Sequence, residues 1–67
     1  MEIEVYKTMS GAFRIADIYG LSDDAYKKFK KIGLPVYTGM SGSQNLRDSR
    51  AYTKEQILKI KEIAKKF

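Results

Sequence analysis

Cysteine and histidine are both absent from the chain, and proline occurs only once. Without cysteine there is no disulfide, no thiol nucleophile and no zinc finger, and without histidine the Ser-His-Asp triad and the usual transition-metal ligands are missing. We therefore expect a protein that is not an enzyme and that holds no metal ion and no cofactor. No run of consecutive apolar residues exceeds two, so we also expect no signal peptide and no membrane-spanning helix, which favours a cytoplasmic protein.

The composition is nevertheless that of a folded protein. Of the 67 residues, 43% are apolar and 31% are charged, which is typical of a compact globular chain rather than a disordered one. A chain of this length can bury one small hydrophobic core, so the sequence predicts a single domain over residues 1–67.

The charges are unevenly distributed along the sequence. Residues 1–26 carry a net charge of −3 and residues 27–67 a net charge of +8. An excess of lysine and arginine is expected of a protein that binds a phosphate backbone, but a solvated lysine-rich surface has the same composition. The charge alone therefore leaves both interpretations open.

Local patterns predict a strand and two helices in the first half of the chain. Alternating apolar residues predict a short strand over residues 2–7. Apolar residues at positions 12, 15, 16 and 19 have the spacing of a helix that would begin after Thr8 or Ser10 and end at Gly20. Ser22 is suited to cap a second helix, which Gly33 would end.

The second predicted helix is amphipathic. Tyr26, Phe29 and Ile32 fall on one side of a helical wheel, and the opposite side carries four lysines, Lys27, Lys28, Lys30 and Lys31. We expect the apolar side to face the core and the lysines to face solvent.

Turn residues and a capping pattern organise the second half of the chain. Between residues 36 and 51, Gly39 and Gly42 lie among serines, which predicts a β-hairpin with a polar tip. Thr53-Lys-Glu-Gln56 is a capping box that predicts the start of a third helix, in which Leu58 lies outside the apolar stripe. No internal repeat is expected.

This order of elements predicts an α+β fold, a winged helix-turn-helix with three helices, a β-hairpin wing and a short N-terminal strand. The helix-turn-helix would span about residues 11–33, the wing about 35–52 and the C-terminal helix about 54–67. Generic packing of three helices, without a role in DNA binding, is the alternative.

Residues 20–34, Gly-Leu-Ser-Asp-Asp-Ala-Tyr-Lys-Lys-Phe-Lys-Lys-Ile-Gly-Leu, resemble the helix-turn-helix of MerR-type regulators and the related excisionases. Residues 50–57, Arg-Ala-Tyr-Thr-Lys-Glu-Gln-Ile, are similar to the segment that leads from the wing into the next helix of those proteins. The resemblance implies a winged helix-turn-helix that binds double-stranded DNA. MerR-type regulators continue into a dimerising helix and an effector domain, whereas this chain ends at Phe67, so no small-molecule effector is expected.

A second resemblance competes with the first. Residues 16–20, 33–36 and 48–49, with Gly39 and Gly42, resemble the DNA-binding head of lambdoid phage small terminase subunits. Both resemblances imply the same fold and the same ligand, double-stranded DNA, and they differ in biological task.

The expected DNA contacts lie on the second helix and the wing. On the helix, Lys27 is at the position where the MerR resemblance implies a phosphate contact, and Lys28 and Lys31 share its exposed side. In the wing, guanidinium and neutral polar groups suit phosphates or a minor groove; they are Arg47, Arg50, Ser43 and Gln44. The alternative is a solvated helix surface and a polar loop in which Arg50 is held by Asp48 or Glu55.

We therefore expect a small transcriptional regulator or an excisionase-type recombination directionality factor of phage or mobile-element type. Alternatives are the DNA-recognition head of a terminase and a protein-interaction module that binds a partner through Leu58 and the N-terminal strand. A monomer in solution that associates with further copies on DNA is expected, because no long dimerising helix is present.

Overall fold

The computed structural model describes residues 1–67 and contains two helices and four short strands. The elements follow in the order β1 (Val5–Lys7), β2 (Phe13–Ile15), α1 (Asp23–Lys31), β3 (Val36–Thr38), β4 (Gln44–Leu46) and α2 (Lys54–Ala64). The strands form two separate antiparallel hairpins, β1–β2 and β3–β4. Neither helix has the length and apolar character needed to cross a membrane.

The prediction of a three-helix winged helix-turn-helix is wrong, because its first helix does not exist. Of the residues assigned to that helix, Phe13–Ile15 form β2, which pairs with β1 in the register Val5↔Ile15, Tyr6↔Arg14 and Lys7↔Phe13, and none is helical. The chain is an α+β fold of two helices and two hairpins. No helix-turn-helix spans residues 11–33.

The turn before β2 explains why a hairpin forms there. Thr8 donates its backbone N–H to Ala12 and accepts one from Gly11, which closes a three-residue loop, and the Thr8 hydroxyl accepts the Ala12 N–H at 3.1 Å. Gly11 has φ +85°, as the last residue of such a loop requires. Thr8 therefore stabilises a turn instead of capping a helix, and the aromatic and β-branched residues beside it favour a strand.

Helix α1 has the ends that the sequence predicts. Ser22 is its N-cap and accepts the Ala25 N–H at 3.2 Å through Oγ. At the other end, Gly33 adopts φ +88°, and the Leu34 N–H bonds to the Phe29 carbonyl. This Schellman arrangement ends the helix at the predicted position.

The β3–β4 hairpin is held by a buried asparagine. Its register is Val36↔Leu46, Tyr37↔Asn45 and Thr38↔Gln44. Asn45 is 3% exposed; its Oδ1 accepts the Gly20 N–H at 3.1 Å, and its Nδ2 donates to Ser43 Oγ at 3.1 Å. Asn45 thus ties the hairpin to the segment that leads into α1.

Helix α2 begins with the predicted capping box. Gln56 donates its N–H to Thr53 Oγ1 at 3.3 Å, and the Thr53 N–H donates to Gln56 Oε1 at 2.8 Å. The helix ends at Ala64 rather than near Phe67.

The chain falls into two compact units. Unit 1 comprises Met1–Ala16 and Ser49–Phe67 and therefore contains β1, β2 and α2. Its core residues are Ile3, Ile15, Ile57, Ile60 and Ala64. Unit 2 comprises Asp17–Asp48 and contains α1, β3 and β4, with helix α1 in contact with both strands. Its apolar core residues are Leu21, Ala25, Phe29, Leu34 and Leu46.

The structure reveals an internal repeat that inspection of the sequence missed. The series strand, strand, helix occurs twice, and the second occurrence follows the first by 31 residues. Strand β1 begins at Val5 and β3 at Val36, and the helix N-caps are Ser22 and Thr53. Identical residues at this offset include Val-Tyr at the start of each first strand and Met-Ser-Gly in each hairpin loop. The chain is therefore two copies of one strand–strand–helix segment.

Hydrogen bonds and backbone angles repeat at the same offset. Gly11 and Gly42 both have φ +85°, and each donates its N–H to the residue three positions earlier. The bond from Ala16 N–H to the Glu4 carbonyl recurs as the bond from Arg47 N–H to the Pro35 carbonyl. Equal geometry at equivalent positions shows that the two copies adopt the same local fold.

The repeat makes a prediction about the two loop glycines. Alanine at φ +85° is strained by about 1–2 kcal/mol, and open space surrounds both glycines, so Gly11→Ala and Gly42→Ala should each lower the free energy of unfolding by about that amount. Urea denaturation measures the change. Met9→Ala and Met40→Ala, at fully exposed positions of the same two loops, are the controls, and a cost below that of the methionine variants would contradict the loop geometry.

Candidate nucleic-acid interface

Four lysines on α1 form an exposed basic surface, which we call the lysine face. Its members are Lys27, Lys28, Lys30 and Lys31. Lys28 is partly buried and the other three are exposed. None of the four makes an ion pair, so their charges are available to an external anion. The opposite side of the helix buries Ala25 and Phe29, as the amphipathic pattern predicts, whereas Ile32, which the pattern also places on the core side, is 41% exposed.

Two carboxylates limit where an anion can approach α1. Asp23 and Asp24 occupy the first turn, where they complement the positive end of the helix dipole, and the lysine face begins three residues further on. A phosphate is therefore repelled from the N-terminal turn and attracted to the C-terminal half of the helix. The lysines also complement the negative end of the dipole, which accounts for part of their presence without a ligand.

Arg47 is the only arginine of unit 2. It follows β4, its side chain is 73% exposed, and its Nε lies 3.8 Å from Asp17 Oδ2. At this distance and exposure the ion pair contributes little, and it orients the guanidinium only loosely. Arg47 belongs to the same unit as the lysine face.

Of the two polar residues expected to contact DNA from the hairpin, Ser43 is engaged through its side chain and Gln44 through its backbone. Ser43 is half-buried, and its Oγ accepts hydrogen bonds from Asn45 Nδ2 and from Ser41 Oγ at 3.3 Å. Gln44 is half-buried within β4, and its carbonyl accepts the Leu21 N–H at 2.6 Å. These two residues shape the hairpin, whereas Ser41 at the loop is exposed.

Arg50 lies in unit 1, apart from the unit that carries the other expected contacts. Its guanidinium carbon sits 5.5 Å from the centre of the Tyr52 ring, within the range of a cation–π interaction.

The basic half of the sequence does not correspond to one structural unit. Of the eleven lysines and arginines in residues 27–67, five belong to unit 2 and six to unit 1. Unit 2 also carries four aspartates. Its attraction for a phosphate therefore depends on the separation of lysines and carboxylates along α1 rather than on the net charge of the unit.

Two buried polar residues were not predicted. Asn45 organises the hairpin, and Asp48 is 4% exposed, at the position equivalent to Asp17 in the first copy. Alignment of the sequence with itself would have drawn attention to this repeated aspartate. Asn45 has no comparable signal, because its counterpart is Arg14.

Comparisons with protein families, with characterised proteins and with solved structures find no match to this chain.

Proposed function

We propose that this chain binds double-stranded DNA through the lysine face of α1 and the adjoining β3–β4 hairpin, and that it catalyses no reaction. The observation that supports the proposal is the lysine face itself. Four lysines without ion pairs are presented by a helix of nine residues, and the hairpin that packs against this helix is followed by the exposed Arg47.

The dimensions and chemistry of unit 2 suit a DNA groove. A major groove about 12 Å wide admits one helix, with lysines reaching the phosphates on its walls. Lysine is a point charge that identifies bases poorly, whereas arginine can form two hydrogen bonds to guanine. We therefore propose binding that depends mainly on phosphates, with Arg47 as the residue best suited to read a base.

The task we propose is control of transcription or of the direction of recombination, as the resemblance of residues 20–34 to regulators and excisionases implies. This resemblance covers the whole of α1 with its two caps. Recognition of viral DNA during packaging is the alternative that the second resemblance implies.

The salt dependence of binding tests the proposal. Lys27→Ala and Arg47→Ala should each weaken binding to unrelated duplexes and reduce the slope of log K against log salt by about one unit, because each removes one phosphate contact. Fluorescence anisotropy of labelled duplexes over a range of salt concentrations measures both quantities.

Lys59→Ala and Lys66→Ala, which remove exposed lysines of unit 1, are the matched controls and should change the slope less. An unchanged slope in both Lys27→Ala and Arg47→Ala would refute the proposed surface, and no duplex binding at low salt would refute DNA binding altogether.

A further inference from the structure

In unit 1, helix α2 and the β1–β2 hairpin border an open cleft of about 370 Å³. Its lining residues are Val5, Lys7, Phe13, Lys54, Ile57, Leu58 and Lys61. The volume falls within the roughly 300–1,000 Å³ of typical ligand clefts. Leu58 is 57% exposed, so an apolar side chain that the core does not use is available at this cleft.

The lining combines an apolar floor with a basic rim. Four of the seven residues are apolar, the other three are lysines, and none is acidic. Lys7, Lys54 and Lys61 are exposed and make no ion pair, so no carboxylate of this chain neutralises the rim. The cleft therefore offers apolar contact and positive charge at the same place.

Two further clefts extend this one along α2. One shares Phe13 and Lys54 with it and continues to Thr53, and the other shares Lys61 and continues to Lys65. The only carboxylate in the three linings is that of Glu2, in the cleft beyond Lys61. Together they form a groove beside the eleven residues of α2, about 16 Å long, which suits an elongated occupant.

The internal repeat shows that a strand–strand–helix segment can fold without the combination of apolar and basic residues that lines this cleft. At the equivalent positions of unit 2, Phe13 is replaced by Gln44, Leu58 by Lys27 and Lys54 by Asp23. The same backbone thus carries a polar surface in unit 2 and an apolar, uniformly basic cleft in unit 1. Phe13, Lys54 and Leu58 are therefore not required by the strand–strand–helix fold itself.

We infer that the groove of unit 1 binds an acidic amphipathic helix of a partner protein. Leucine-type side chains on one face of such a helix would cover Leu58 and Phe13, and glutamates or aspartates flanking that face would pair with the lysine rim. Double-stranded DNA fits less well, because its charged backbone gives no gain from burying the apolar floor. The inference does not depend on DNA binding by unit 2.

A synthetic peptide of about 16 residues provides the probe. It carries leucines at helical i, i+3, i+4, i+7 spacing with glutamates around them, and a fluorescent label reports binding by anisotropy. We expect saturable binding to the full chain that weakens at least tenfold in Leu58→Glu and in the double variant Lys54→Glu/Lys61→Glu. The double variant should in turn bind a peptide whose glutamates are replaced by lysine.

Lys59→Glu is the control, because it reverses the charge of one lysine of α2, as each substitution of the double variant does, at a residue that lines none of the three clefts. It should change the affinity less than twofold. All substituted side chains are exposed, and thermal unfolding by circular dichroism verifies that each variant is folded.

Four outcomes would overturn the inference. The first is absence of saturable binding, and the second is an equal loss in Lys59→Glu, which would indicate attraction by overall charge. The third is a dimer in sedimentation that Leu58→Glu dissociates, which would make a second copy the occupant. The fourth is loss of duplex binding in Lys54→Glu/Lys61→Glu with peptide binding intact, which would assign the groove to nucleic acid. Absence of duplex binding alone would refute only the proposed function.

Discussion

Phe29→Ala is expected to unfold the protein. Phe29 is 0% exposed and is the largest fully buried side chain, at the centre of the core of unit 2. Truncation of a buried phenylalanine costs about 3–5 kcal/mol, which equals the roughly 3–5 kcal/mol that a core of this size supplies. Urea denaturation followed by circular dichroism should show little or no cooperative transition at 25 °C.

Tyr19→Ala is the matched control for Phe29→Ala. The helical spacing places Tyr19 in the core, but the structure leaves it 66% exposed, so its truncation should change stability by less than about 1 kcal/mol. A cooperative transition of near wild-type midpoint in Phe29→Ala would contradict the assignment of the buried side of α1, and with it the lysine face.

Ile60→Ala is expected to have the second largest effect. Ile60 of the second copy corresponds to Phe29 of the first. It is 5% exposed and belongs to the core of unit 1. Loss of its buried methyl and methylene groups should cost about 2–5 kcal/mol. The shift of the urea midpoint measures the loss, and Ile60→Val, at about 0.5–1.5 kcal/mol, keeps the test quantitative if the alanine variant is unfolded.

Leu58→Ala is the control in unit 1, two residues away on the exposed side of α2. Leu58→Ala should lower the free energy of unfolding by less than about 1 kcal/mol, because the Leu58 side chain is mostly exposed and its truncation removes little buried apolar surface. A cost as large as that of Ile60→Ala would show that Leu58 belongs to the core and not to the groove.

Residues whose local chemistry is self-contained could be predicted from the sequence. Ser22 and Thr53 cap helices, Gly33 ends one, and the hairpin between β3 and β4 forms within the predicted segment. Caps and tight turns depend on hydrogen bonds between residues a few positions apart, which the sequence itself displays. The burial of Phe29 and the exposure of Lys27 and Lys31 on the opposite side of α1 also follow from the helical periodicity of the sequence.

The segment between Thr8 and Gly20 could not be predicted in the same way, because its conformation is decided by residues distant in the chain. Phe13 exchanges backbone hydrogen bonds with Tyr52, and Ile18 does so with Leu46. The predicted helical stripe over residues 12–19 includes Ala12 and Ala16, which have little apolar surface to bury. Pairing of this segment with β1, Leu46 and Tyr52 therefore outweighs the helical pattern. For the candidate DNA surface, the exposure of Lys27, Lys31 and Arg47 could be predicted from the sequence, whereas the hydrogen bond between Ser43 and Asn45 could not.

The internal repeat has a consequence for how the protein could be divided. The hairpin of the first copy and the helix of the second belong to unit 1, and the helix of the first copy and the hairpin of the second belong to unit 2. A peptide cut between the copies therefore holds half of each unit and can complete neither alone. Two such peptides mixed together supply all the missing halves, so the molecule is built like a pair of chains that exchange helices and have been joined into one. Because both copies lie in one chain, equivalent positions can carry different residues, as Leu58 and its counterpart Lys27 do.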